Sequence, residues 1–124
     1  MTLLDLPASG KQPSPSDFRH LPEGTHRMYA IAFDMDIEAL RNSYGDPYNS
    51  AYTEIKKVLV AHGFLWQQGS VYFGGDKINA VTCVLAAIDL SQKLPWFAAA
   101  VRDIRMLRIE ELNDLMPAVQ QRNQ

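Results

Sequence analysis

The sequence predicts an α+β fold of the ferredoxin-like kind: a four-stranded antiparallel sheet, arranged βαββαβ, with its helices on one face. Strand-like stretches rich in β-branched and aromatic residues occur near residues 28–34, 64–67, 71–73 and 101–109. Helical spacing of apolar residues fills the interval before the second stretch and the interval before the fourth. Strand, helix, strand, strand, helix, strand is the order of the split βαβ sandwich. A short C-terminal helix follows it.

Residues 1–27 carry Pro7, Pro13, Pro15 and Pro22 with Gly10, Gly24 and several serines, and their apolar residues keep no period. That is the composition of a tail, and the folded domain is expected over residues 28–124. The stretch Met28-Tyr29-Ala30-Ile31-Ala32-Phe33 is an uninterrupted apolar run that ends in Asp34. From Ile37 the spacing becomes helical, with Ile37, Leu40 and Tyr44 in phase until Gly45. Asp46 and Pro47 read as the N-cap and first residue of a second helical piece. Tyr48, Tyr52, Ile55, Val58, Leu59 and His62 continue one apolar face, closed by Gly63.

Phe64-Leu65-Trp66-Gln67 and Val71-Tyr72-Phe73, joined by Gln68-Gly69-Ser70, read as a β-hairpin. After Gly74-Gly75, Asp76 is the expected N-cap of a helix whose core stripe is Ile78, Val81, Leu85 and Ile88, widened by Val84. Leu94-Pro95 ends it, and Trp96-Phe97 forms a turn. The fourth strand runs over residues 101–109, and a short helix over 110–116 is expected to stop at Pro117.

At 124 residues the chain has the length of one domain. Cys83 is the single cysteine, which excludes an intrachain disulfide and a thiolate metal cluster. No apolar run nears the roughly 20 residues that span a bilayer. A cytoplasmic location follows as the expectation. A net charge of −2 and a pI near 5.8 exclude a protein that holds nucleic acid by a broadly basic surface. Contact with nucleic acid therefore rests on a few placed arginines. A sheet covered on one face leaves the other open, and both faces of the first and last strands contain apolar residues. Homodimerisation through that open face or an edge strand is the expectation.

Four blocks resemble the virulence-associated protein D family: Met28-Tyr29-Ala30-Ile31-Ala32-Phe33-Asp34, Tyr44-Gly45-Asp46-Pro47-Tyr48-Asn49, Gln68-Gly69-Ser70-Val71-Tyr72 and Val101-Arg102-Asp103-Ile104-Arg105. They are in register over nearly everything from residue 28 to 115. The resemblance implies a dimeric ferredoxin-like protein, similar in fold to the CRISPR-associated ferredoxin-like nucleases. It further implies an endoribonuclease acting on RNA in a toxin-like, virulence-associated setting. In those nucleases an aspartate at the end of the first strand carries the site, and Asp34 has that place here; Asp36 is the weaker candidate.

Two chemistries are open to Asp34. It can hold a divalent cation such as Mg²⁺, for which a two-fold dimer would bring Asp34 from both protomers to one cleft. It can instead act as a general base on the 2′-hydroxyl. The plainer alternative is that Asp34 only caps the next helix or pairs with an arginine. Ser70 in the hairpin turn can donate to a phosphate, though turn residue is its simpler reading. Arg102 and Arg105 can grip phosphate oxygens. In a strand they point to opposite faces, so at most one of them faces any single site, and pairing with Asp103 or Asp46 is the competing use. Tyr48, Tyr52, Trp66 and Tyr72 can stack on bases, while their spacing favours packing for most of them. The other function class is a non-catalytic dimer that binds a protein partner such as an antitoxin.

Overall fold

The computed structural model describes residues 28–121. The expected tail over residues 1–27 and the last three residues lie outside the described part. The chain forms β1 (Met28–Met35), α1 (Ile37–Ser43), α2 (Asn49–Ala61), β2 (Phe64–Gln68), β3 (Val71–Gly74), α3 (Ala80–Lys93), α4 (Phe97–Ala100), β4 (Val101–Ile109) and α5 (Met116–Gln121). The strands form one sheet in the order β2-β3-β1-β4, every neighbouring pair antiparallel. This is the expected α+β, ferredoxin-like arrangement.

Central placement explains why β1 is the most apolar strand, since β3 and β4 flank it within the sheet and the helices cover the face that carries Ile31, Phe33 and Met35. Ile31, Phe33 and Met35 belong to the core with Leu40 of α1, Ile55 and Leu59 of α2, and Cys83, Ala86 and Leu90 of α3. Phe64, Tyr72 and Phe97 complete the same cluster. No helix among the described residues is long and apolar enough to cross a membrane.

Four local expectations are corrected. Helix α2 starts at Asn49 with Tyr48 as N-cap and no side-chain cap, not at Pro47 behind an Asp46 cap. Asp46 lies instead 3.6 Å from Arg41. Helix α3 is capped by Asn79, not Asp76: the Thr82 amide donates to Asn79 Oδ1 at 2.9 Å in a capping box. The delay seats Ile78, which is buried against Gly63 and Gly74.

The core stripe of α3 is also corrected. Val81, Val84, Leu85 and Ile88 are 65%, 53%, 53% and 46% exposed, while Cys83, Ala86 and Leu90 are buried. The helix is apolar nearly all round, so periodicity does not decide which side packs. The smaller Cys83 and Ala86 give the closer approach to the sheet. Lastly, Pro117 lies in the first turn of α5 and does not end a helix over 110–116. The missing N–H of proline costs nothing there, and Asp114 Oδ1 accepts the Met116 amide at 3.0 Å. The chain ahead of α5 returns to the helix-free face, where Leu112, Asn113 and Asp114 share a cleft with Gln67, Val71 and Phe73. The open face is thereby partly covered by the chain itself.

Candidate active site at the sheet rim

The antiparallel pairing brings three chain segments to one rim. The C-terminal end of β1 meets the β2–β3 turn on one side and the start of β4 on the other. The Phe33 amide donates to the Ser70 carbonyl at 3.1 Å, which holds the turn beside the residue preceding Asp34. The Asp36 amide donates to the Ala100 carbonyl at 2.9 Å, tying the start of α1 to the start of β4.

Asp34 is the one outward-facing residue near the end of β1, and its side chain is 62% exposed. It does not cap α1. That role falls to Asp36, whose Oδ1 accepts the Ala39 amide at 2.9 Å. This bond comes first among the influences that hold the Asp36 carboxyl below the usual aspartate range; partial burial works against it, and Arg102 works with it.

Arg102 reaches both acids, with Nη1 3.5 Å from Asp34 Oδ2 and Nη2 3.6 Å from Asp36 Oδ2. A break in register makes this possible. Asp34 pairs with Asp103 and Met35 with Val101, so Arg102 is the extra residue of a β-bulge. The bulge breaks the alternation expected to send Arg102 and Arg105 to opposite faces. Asp103 stands across from Asp34 in the ladder, and Arg105 Nε donates to Asp103 Oδ2 at 2.9 Å. The pairing of Arg105 with Asp103 is the competing use anticipated from the sequence. Carboxylates directly opposite each other repel, and the two guanidiniums beside them offset that repulsion.

The rim thus gathers Asp34, Ser70 and Arg102, with Arg105 one ion pair away. Sequence reasoning named Asp103 only as an arginine's partner and did not place it across from Asp34. It also passed over Lys56, which shares a helix face with Tyr52 through i,i+4 spacing. Tyr72 is core, and burial pushes its hydroxyl pKa up. Tyr48 is half-buried under Arg41, whose guanidinium carbon lies 5.2 Å from the ring centre.

Among the described residues no three His, Cys, Asp or Glu side chains are grouped to hold a metal ion. The Arg102 guanidinium occupies the space between Asp34 and Asp36 that a shared cation would need. The donor set does not fit a Mg²⁺ site within one chain.

No protein-family model matches the chain. Endoribonuclease VapD 2 of Riemerella anatipestifer is similar to it, 53% identical over 93 residues that cover 74% of this chain and 99% of the relative. Endoribonuclease VapD homolog of Helicobacter pylori is 52% identical over 92 residues, covering 74% of this chain and 96% of the relative. Endoribonuclease VapD of Dichelobacter nodosus is 49% identical over 92 residues, covering 74% and 97%.

Proposed function

The chain belongs to the VapD family, and on that premise we propose that it is an endoribonuclease in which Asp34 acts as a base on the substrate's own 2′-hydroxyl. The observation that supports this most is the exposed Asp34 carboxylate beside a guanidinium aimed over the same rim. Asp34 takes the 2′-hydroxyl proton as that oxygen attacks the neighbouring phosphorus. The bond from phosphorus to the 5′-oxygen breaks, leaving a cyclic phosphate on one fragment and a free 5′-hydroxyl on the other. Water supplies the proton to the departing oxygen. Arg102 turns from the carboxylates to the phosphate, where it stabilises the charge that builds on the equatorial oxygens. Arg105 and the Ser70 turn hold the phosphates on either side.

The protein works as a homodimer in this reading, in the cytoplasm, as a toxin-like or virulence-associated factor that an antitoxin protein can hold in check. Support for self-association comes from β4, which among the described residues is an edge strand of the sheet, flanked by exposed apolar residues on α3.

The test is cleavage of end-labelled RNA by the wild type and by Asp34→Asn, each with and without EDTA. We expect Asp34→Asn to lose at least about 100-fold in kcat, the usual contribution of a positioned base. EDTA should leave the wild-type rate within about twofold, with a cyclic phosphate at the new end. Equal cleavage by both proteins would remove Asp34 from the site, and loss of activity in EDTA would restore a metal to the mechanism.

A further inference from the structure

Between α2 and the tip of the β2–β3 hairpin, on the helix-covered side of the sheet, a cleft of about 200 Å³ is lined by Phe33, Tyr52, Lys56, Trp66, Gly69 and Tyr72, and the Asp34 charge acts on its Tyr52. Resting on the nuclease reading above, we propose that this cleft receives one unpaired base of the RNA strand, and that the adjacent phosphate lies at Asp34.

Its lining is aromatic on several sides, the surface on which splayed-out single-stranded bases stack. Tyr52 and Trp66 are partly exposed at its mouth, and Phe33 and Tyr72 form its buried floor. The Trp66 indole N–H donates to the Gly69 carbonyl at 2.8 Å, which fixes the ring plane and the turn against each other. Lys56 places its ammonium 5.2 Å from the centre of the indole ring. That charge stands at the mouth of an aromatic slot, where a base would enter with its phosphate trailing. The cleft and Asp34 share one neighbourhood. Phe33 is both the cleft floor and the residue before Asp34, and Ser70, next to Gly69, is bonded to Phe33 through the backbone. Burial, then the nearby Tyr48 and the Asp34 charge, raise the Tyr52 hydroxyl pKa.

A base in a duplex is stacked and paired and cannot enter such a slot, so the cleft selects single-stranded RNA. Stacking on a side chain is worth on the order of tenfold or more in affinity per base.

Tryptophan fluorescence tests this directly. The chain has two tryptophans, so Trp96→Phe leaves Trp66 as the reporter. The probe is a short single-stranded oligoribonucleotide with 2′-O-methyl groups, which cannot be cleaved through its 2′-oxygens. We expect saturable quenching by the single strand and none by the same strand in a perfect duplex at equal concentration. Tyr52→Leu should weaken binding about tenfold and Tyr52→Phe should not. Lys56→Ala should reduce the slope of log affinity against log salt by about 0.7. With unmodified RNA, the Tyr52→Leu defect should appear in KM rather than kcat. Cleavage without quenching, or equal quenching by the duplex, overturns the base subsite and leaves the nuclease reading standing. Quenching without any cleavage of unmodified RNA supports the subsite and removes the nuclease reading.

Discussion

Two aspartates two residues apart do different work at the end of β1. Asp36 occupies the slot directly before Ile37 and caps α1, a role the sequence reading had offered to Asp34. That leaves Asp34 without a structural duty of that kind. The capped acid has a pH signature. Its folded pKa lies below the ordinary value of 3.8, so it stabilises the fold above that value and loses the contribution as pH falls through the folded pKa. Asp36→Ala should therefore melt below wild type at neutral pH, with the gap closing below about pH 4 in thermal scans. Arg102 carries a second prediction. Its planar fork spans two carboxylates, a geometry that an ammonium cannot copy. Arg102→Ala should lower kcat by about 100-fold, and Arg102→Lys should recover only part of it in the labelled-RNA assay. The bulge that aims Arg102 was not legible, because an extra residue in one strand shows only once its partner strand is known.

Among the elements, the order of strands and helices and the hairpin were readable, since each rests on local spacing and turn chemistry. Helix boundaries depended on contacts outside the local pattern. The second long helix begins late because Ile78 must first be seated against Gly63 and Gly74. A Cβ on Gly74 would lie 2.6 Å from Ile78 Cγ2. Gly74→Ala should thus cost on the order of 1–3 kcal/mol in denaturant unfolding, the typical range for overpacking. The capping box predicts a smaller effect: Asn79→Ala should cost about 1 kcal/mol and lower Tm by several degrees. The side on which α3 packs was beyond the sequence. Cys83, Ala86 and Leu90 and the stripe of Val81, Val84, Leu85 and Ile88 are both apolar, and only the tertiary contacts choose between them.

For the whole molecule, the relation of the four blocks to one another held most of the information about family and fold. The assembly is less directly encoded. Between α3 and β4 runs an apolar groove of about 370 Å³, lined by Ile31, Val84, Ile88, Ile104 and Met106. If β4 and this groove carry the proposed dimer, a charge there should separate the protomers. Met106→Lys should raise the dimer dissociation constant at least tenfold in sedimentation equilibrium, with the monomer's circular dichroism unchanged. A monomeric wild type at all concentrations would remove the dimer.

The rim has one further consequence. Asp34, Asp36 and Asp103 stand against Arg102 and Arg105, so both arginines already have anionic company before any RNA arrives. Substrate capture is then a trade of partners, in which a phosphate must outcompete a tethered carboxylate. A free inorganic anion brings only its own charge to that trade. A polynucleotide adds base stacking and neighbouring phosphates, and so can win it. The molecule should accordingly ignore phosphate and sulfate at concentrations that saturate an open arginine cleft.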